Sequence, residues 1–180
     1  MPRPQRLQIA GGIYHVTARG NRRQEIFTDD RDRIRFLALL DQVAVRFGWS
    51  GHAYCLMPNH FHLVVETPGP TLSAGLQRLN GSYAQWFNWR HQKDGHLFQG
   101  RFHSVVVETD SHLLELSRYT VQNPVRARLC PSPIDWPWSS CRAILGLARP
   151  ADFLVIGRVL SHFGPDLERA RRAFHIFVAT

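Results

Sequence analysis

The sequence predicts an α+β fold, an antiparallel sheet built in the order β-α-β-β-α-β, with a helix on the open face and a helical C-terminal extension. Three observations predict it. Four short runs, 12–18, 51–57, 60–66 and 102–108, are rich in β-branched and aromatic residues. Two longer stretches with apolar residues three and four apart lie between the first and second runs and between the third and fourth. Only Pro58-Asn59 separates the two middle runs, and so short a connection implies a hairpin.

The first strand, 12–18 (GIYHVTA), is flanked by glycines and followed by the basic, Gly/Asn-punctuated loop Arg19-Gly20-Asn21-Arg22-Arg23. Asp29 and Asp30 open a helix whose 3–4 spacing is traced by Ile34, Leu37, Ala38, Asp41 and Val45, with Phe36 and Leu40 widening its apolar face and Gly48 stopping it. The hairpin of 51–57 and 60–66 bends at Pro58, which has no ladder donor to give. A long helix from about Thr71 to His91 buries Leu72, Leu76, Leu79, Tyr83, Trp86 and Phe87, although Gly75 and Gly81 weaken it. After the strand 102–108, Thr109 or Asp110 caps a helix that runs to about Gln122, where Asn123-Pro124 interrupts it. This is the ferredoxin-like plan, with two helices on one face of the sheet and the other face open to the helix from Asp110. Pro131, Pro133 and Pro137 mark a boundary. Residues 1–130 are therefore expected to form one domain, and 131–180 an extension with helices over 138–147 and 151–177.

The 180 residues are 44% hydrophobic and 11% aromatic, which suits a globular chain and argues against disorder. The formal charge is +8, and Lys93 is the only lysine, so arginine supplies nearly all of the basicity. Guanidinium forks bind phosphate oxygens bidentately and stack on bases, which ammonium groups do not. A codon bias toward arginine would give the same excess. Under either origin a basic surface attracts polyanions, and nucleic acid is the leading partner class. Cys55, Cys130 and Cys141 are odd in number and far apart, which excludes a disulfide framework and a four-cysteine zinc site. Met1 to Gly12 holds no run of signal-peptide length, and no stretch approaches the ~20 apolar residues of a membrane span. The expectation is a cytoplasmic, reduced protein with no membrane partner.

Two constellations carry chemistry. Alternation sends His60 and His62 to one face of their strand and Phe61, Leu63 and Val65 to the other. Two imidazoles so placed can converge on one cation, although histidines on the solvated face of a strand would look the same. On the helix, Tyr119 and Asn123 stand four apart and share a face. There a carboxamide can complete a metal site while the phenol stands beside the metal. Taken alone, Tyr119 also reads as a half-buried packing tyrosine and Asn123 as a helix C-cap before proline.

Together, Met57-Pro58-Asn59-His60-Phe61-His62-Leu63-Val64, Arg118-Tyr119 and Asn123-Pro124-Val125-Arg126-Ala127 resemble the single-tyrosine HUH transposases, and more narrowly the REP-associated tyrosine transposases. Tyr14-His15-Val16-Thr17, Arg19-Gly20-Asn21, Phe98-Gln99-Gly100-Arg101-Phe102 and Trp138-Ser139-Ser140 extend the resemblance to about residue 145. Cys141 departs from it, where an aromatic is expected. The resemblance implies a metal-dependent endonuclease and strand transferase that cleaves single-stranded DNA through a 5′-phosphotyrosine, on hairpins of repeated palindromes. His60, His62 and Asn123 would be metal ligands and Tyr119 the nucleophile. Such neutral ligands leave a cation its full charge; Mg²⁺ or Mn²⁺ is expected, imidazole suiting Mn²⁺ better. Glu66 and His15 are candidate bases for the phenol proton. Arg19, Asn21, Arg22, Arg23, Arg101, Arg126 and Arg128 are the expected DNA contacts, with Arg169, Arg171 and Arg172 either a second patch or a wet helix face. A monomer is favoured, and a homodimer with shared sites stays open. The rival readings are a catalytically silent, domesticated DNA-binding protein, an RNA-recognition module and a zinc hydrolase. The RNA-recognition module does not account for His60, His62 and Tyr119 together, and for the zinc hydrolase no further His, Cys or carboxylate stands at convincing ligand spacing.

Overall fold

A computed structural model describes residues 8–180; the first seven residues of the expected 1–130 domain lie outside the described residues. Four strands, β1 (Gly12–Arg19), β2 (Ser50–Met57), β3 (His60–Thr67) and β4 (His103–Val107), form one sheet in the order β2-β3-β1-β4. Every pairing is antiparallel. With α1 (Asp30–Phe47) between β1 and β2 and α2 (Leu72–His91) between β3 and β4, this is the expected ferredoxin-like plan. The remaining helices are α3 (Asp110–Arg126), α4 (Cys141–Ile144), α5 (Gly157–Leu160) and α6 (Leu167–Ala179). No described helix is long and apolar enough to cross a membrane.

The period-two pattern sorts the sheet into two faces. Tyr14, Val16 and Ala18 of β1 and Phe61, Leu63 and Val65 of β3 turn toward α1 and α2, where they meet Phe36, Leu40, Leu76 and Tyr83 in the main core. On the other face Ile13, Ala53 and Val64 pack against Leu113 of α3. The helix from Asp110 therefore covers part of the open face, as expected, and leaves the rest as a cleft. The caps are local and were legible: the side chain of Asp29 accepts from Asp32 N, that of Thr109 accepts from His112 N, and Gly48 ends α1 at φ 70°.

Three local expectations are corrected. In α1 the buried stripe is Phe36, Leu39, Leu40, Val43 and Ala44, while Ile34 is 58% and Val45 84% exposed. Two overlapping apolar stripes run along this helix, and packing on the sheet selects one of them. Asp41 faces the C-terminal segment, where its Oδ1 accepts from Phe153 N at 2.9 Å. Second, α3 does not stop at Gln122 but continues through Pro124 to Arg126. Proline strands the carbonyl four residues back. Here Asn123 Nδ2 donates to Tyr119 O at 2.8 Å and to Thr120 O at 3.4 Å, which compensates locally. Third, 138–147 and 151–177 are not continuous helices. Leu56 N donates to Trp138 O, and Gly51 bridges Leu154, so these segments cover the outer edge of β2 before α4 and α5 begin. Gly164 then separates α5 from α6 at φ 114°. Cys141 is fully buried with Ile144, Val159 and Phe174 against Val121 of α3, so the departure at Cys141 sits in packing.

Gly75 and Gly81, both weak points of α2 by propensity, differ in surroundings. A Cβ at Gly75 would overlap the indole of Trp49, whereas one at Gly81 would meet nothing within 4 Å. Gly75→Ala is therefore expected to lower stability by about 1–3 kcal/mol through overpacking. Gly81→Ala is expected to raise it by about 0.5–1 kcal/mol through helix propensity. Urea unfolding of the two variants checks the opposite signs.

Candidate active site

The open face carries a cleft of about 630 Å³ between the sheet and α3, lined by residues that include His15, Thr17, Arg19, His60, His62, Gln99, Arg101, His103 and Tyr119. Register explains the assembly. β1 pairs with β3 so that Thr17 lies opposite His62 and Arg19 opposite His60, and with β4 so that Thr17 lies opposite His103. Alternation then gives His15, Thr17 and Arg19 the same face as the two histidines.

The His60 and His62 rings stand 5.0 Å apart, centroid to centroid. Tyr119 projects from α3 edge-on to both His62, at 5.7 Å, and His15, at 6.0 Å. It is 37% exposed, so the phenol is accessible rather than packed away. Arg126, the last residue of α3, sets its guanidinium 5.1 Å from the Tyr119 ring centroid. That contact exists because α3 continues past Pro124.

Electrostatics hold the imidazoles neutral. Burial pushes His60 down to about 4, helped by Arg19. Burial, His60, His15 and Arg19 push His62 down to about 3. His15 falls to about 4 through burial and through His103 and His112. Three neutral imidazoles are ready electron-pair donors at neutral pH. A cation would fit this pair: His62 Nε2 is buried and has no hydrogen-bond partner among the described residues. No group of three His, Cys, Asp or Glu side chains able to hold a metal is found among the described residues. Any third ligand from the protein would be of another type, such as the amide oxygen of Asn123, whose Nδ2 donates to Tyr119 O and which lies outside the cleft lining.

The other expected residues divide. Arg19 and Arg101 line the cleft, while Asn21, Arg22, Arg23, Asn123, Arg126 and Arg128 do not. Asn21–Arg23 form a short turn with Arg22 and Arg23 at φ 53° and 60°, both exposed. Gly20 N donates to Asn59 O, and Ile26 N to Pro58 O, which staples this basic loop to the hairpin bend beside His60. Of the candidate bases, His15 lines the cleft, whereas Glu66 stands at the far end of β3, bound to His52 Nε2 at 3.0 Å. Sequence reasoning missed Thr17, Gln99 and His103 as cleft residues. The alternation of Tyr14-His15-Val16-Thr17 held the signal for Thr17, but only once β1 is paired with β3.

A family model described as "Transposase IS200 like" matches residues 8–123, about two thirds of the chain and every element from β1 into α3. A Haemophilus influenzae protein, provisionally assigned as a REP-associated tyrosine transposase, is 25% identical over 142 residues, 72% of this chain and 80% of that protein. A solved structure of a REP-associated tyrosine transposase bound to a REP hairpin shares the fold, with TM-score 0.68 and 22% identity over 84% of this chain and 90% of that one. The matched span carries His60, His62, Tyr119 and Asn123 on one continuous fold, and the chain belongs to the IS200-like transposase family.

Proposed function

We propose that this transposase cleaves and rejoins single-stranded DNA beside a hairpin, with Tyr119 as the nucleophile. The observation that carries the reading is the edge-on seat of an exposed Tyr119 ring 5.7 Å from His62, one of two neutral imidazoles on the cleft floor. His60 and His62 would hold a divalent cation, Mn²⁺ or Mg²⁺, with the Asn123 carbonyl oxygen approaching from α3. When bound, the cation supplies Lewis-acid relief of charge on the non-bridging phosphate oxygens.

The chain's own residues supply the rest. Tyr119 Oη attacks phosphorus, the bond to the 3′ oxygen breaks, and the DNA leaves with a 3′-hydroxyl while the 5′-phosphate stays on tyrosine. The phenol proton passes to a base from solvent, because His15, the nearest candidate by position, has its Nε2 held 3.0 Å from His62 Nδ1. A second 3′-hydroxyl can then attack the phosphotyrosine and release the phenolate, whose ordinary pKa near ~10 makes it a competent leaving group. Arg19 and Arg101 in the cleft, and Arg126 at its edge, would neutralise the phosphates of the entering strand. The hairpin preference is carried over from the REP-associated relatives. It suits a cleft that must bring one phosphate to a tyrosine on a helix.

The test is incubation of the whole chain with an end-labelled DNA hairpin bearing a single-stranded flank, plus Mn²⁺, followed by denaturing electrophoresis. A covalent protein–DNA band is expected with the flanked hairpin and not with a fully paired duplex of the same sequence. Equal cleavage of both substrates contradicts the proposal.

A further inference from the structure

Each imidazole of the His60–His62 pair has its Nδ1 occupied by a neighbour. Asn59 Oδ1 lies 2.7 Å from His60 Nδ1. The Asn59 amide cannot be turned over, because its Nδ2 donates to the Arg23 carbonyl at 3.1 Å. A carboxamide oxygen only accepts. His60 Nδ1 therefore carries the proton, and His60 Nε2 holds the lone pair.

At His62, Nδ1 lies 3.0 Å from His15 Nε2, and the two rings are within 3° of parallel. Either ring can be the donor in principle, and the surroundings decide. If His15 donated, His62 would carry its proton on Nε2, a buried N–H with no acceptor among the described residues. Such an orphaned donor costs about 1–3 kcal/mol with nothing to relieve it. If His62 donates, its Nε2 is instead a lone pair, which a cation in the cleft would satisfy.

We propose that Asn59 and His15 are positioning residues that hold His60 and His62 in the Nδ1–H tautomer, so that both Nε2 lone pairs are offered to one divalent cation. This rests on the reading of the pair as metal ligands. Strand alternation gives the two rings a common face but leaves each free to take either tautomer. The two neighbours remove that freedom, as outer hydrogen bonds do around metal-bound imidazoles. Asn59 is held in turn by the basic loop: Arg23 supplies the carbonyl from a left-handed backbone at φ 60°, and Gly20 N donates to Asn59 O at 2.8 Å. The loop expected to meet DNA thus also orients a metal ligand.

The first measurement needs no variant. Two-bond ¹⁵N–¹H spectra of the histidine-labelled, metal-free chain report each tautomer, and His60 and His62 are expected as Nδ1–H forms. An Nε2–H form at either position overturns the proposal. The second is Mn²⁺ titration followed by electron paramagnetic resonance. His15→Phe, which keeps a ring but no acceptor, and Asn59→Ala are each expected to weaken Mn²⁺ binding by roughly 10–100-fold. His15→Gln, which can still accept from His62 Nδ1, should restore most of the affinity. Parental affinity in His15→Phe overturns the proposal alone, provided the His60→Ala/His62→Ala double variant has lost Mn²⁺. Retained binding in the double variant removes the metal reading and this proposal together.

Discussion

Tyr119→Phe is expected to abolish strand cleavage and the covalent adduct, a loss of roughly 10⁴- to 10⁶-fold, on the scale seen when a nucleophile is removed. The change deletes one oxygen from a side chain that is 37% exposed, so fold and packing should be untouched. The Arg126 guanidinium, 5.1 Å from the ring centroid, can still stack on phenylalanine. DNA affinity and Mn²⁺ binding should therefore survive. The readouts are the adduct band, peptide mapping of the trapped 5′-phosphate linkage in the parent, and a fluorescence titration of the hairpin. Attachment at a residue other than Tyr119 sinks the mechanism. A water-activating nuclease would keep most of its rate in Tyr119→Phe, and a silent binding protein would have no adduct to lose.

Replacing His62 is the second large effect. His62→Ala is expected to cut cleavage by roughly 10³-fold or more, because Lewis-acid stabilisation of the transferring phosphate is worth several kcal/mol. Chelation of the parent protein should give a comparable loss, and adding chelator to the variant should cost nothing further. That non-additivity is the discriminating result, since both manipulations remove one device. His62 is 5% exposed and its loss leaves a small cavity. Thermal melting of the variant therefore accompanies the kinetic assay. Parental cleavage in excess chelator would show that the imidazole pair serves another purpose.

Much of this site is legible in the sequence. Phe61, Leu63 and Val65 do face the core and His60 and His62 do face away, because side-chain direction along a strand follows from the backbone alone. The Pro58-Asn59 bend, the Asp29 and Thr109 caps and the Gly48 stop are likewise local chemistry, readable from residue type. The share of the site legible in the sequence is thus the share that lies within single elements. Glu66 illustrates the limit. It sits on the same face of β3 as His60, which made it a plausible base, but six residues of strand put it roughly 20 Å along the sheet.

By itself the sequence determined the element order, the two faces of each strand and the pairing of His60 with His62. These depend on period and turn chemistry, which act over a few residues. Only the tertiary structure decided which of two apolar stripes on α1 is buried, since Ile34 and Val45 are as apolar as the residues that pack. Only it carried α3 through Pro124, where Asn123 bonds back to the helix and the added turn brings Arg126 to Tyr119. Only the β1–β3 register brought His15 within 3.0 Å of His62, across 47 residues of chain. Contacts of that kind are set by how elements dock, and docking is a property of the whole packed chain rather than of any segment of it.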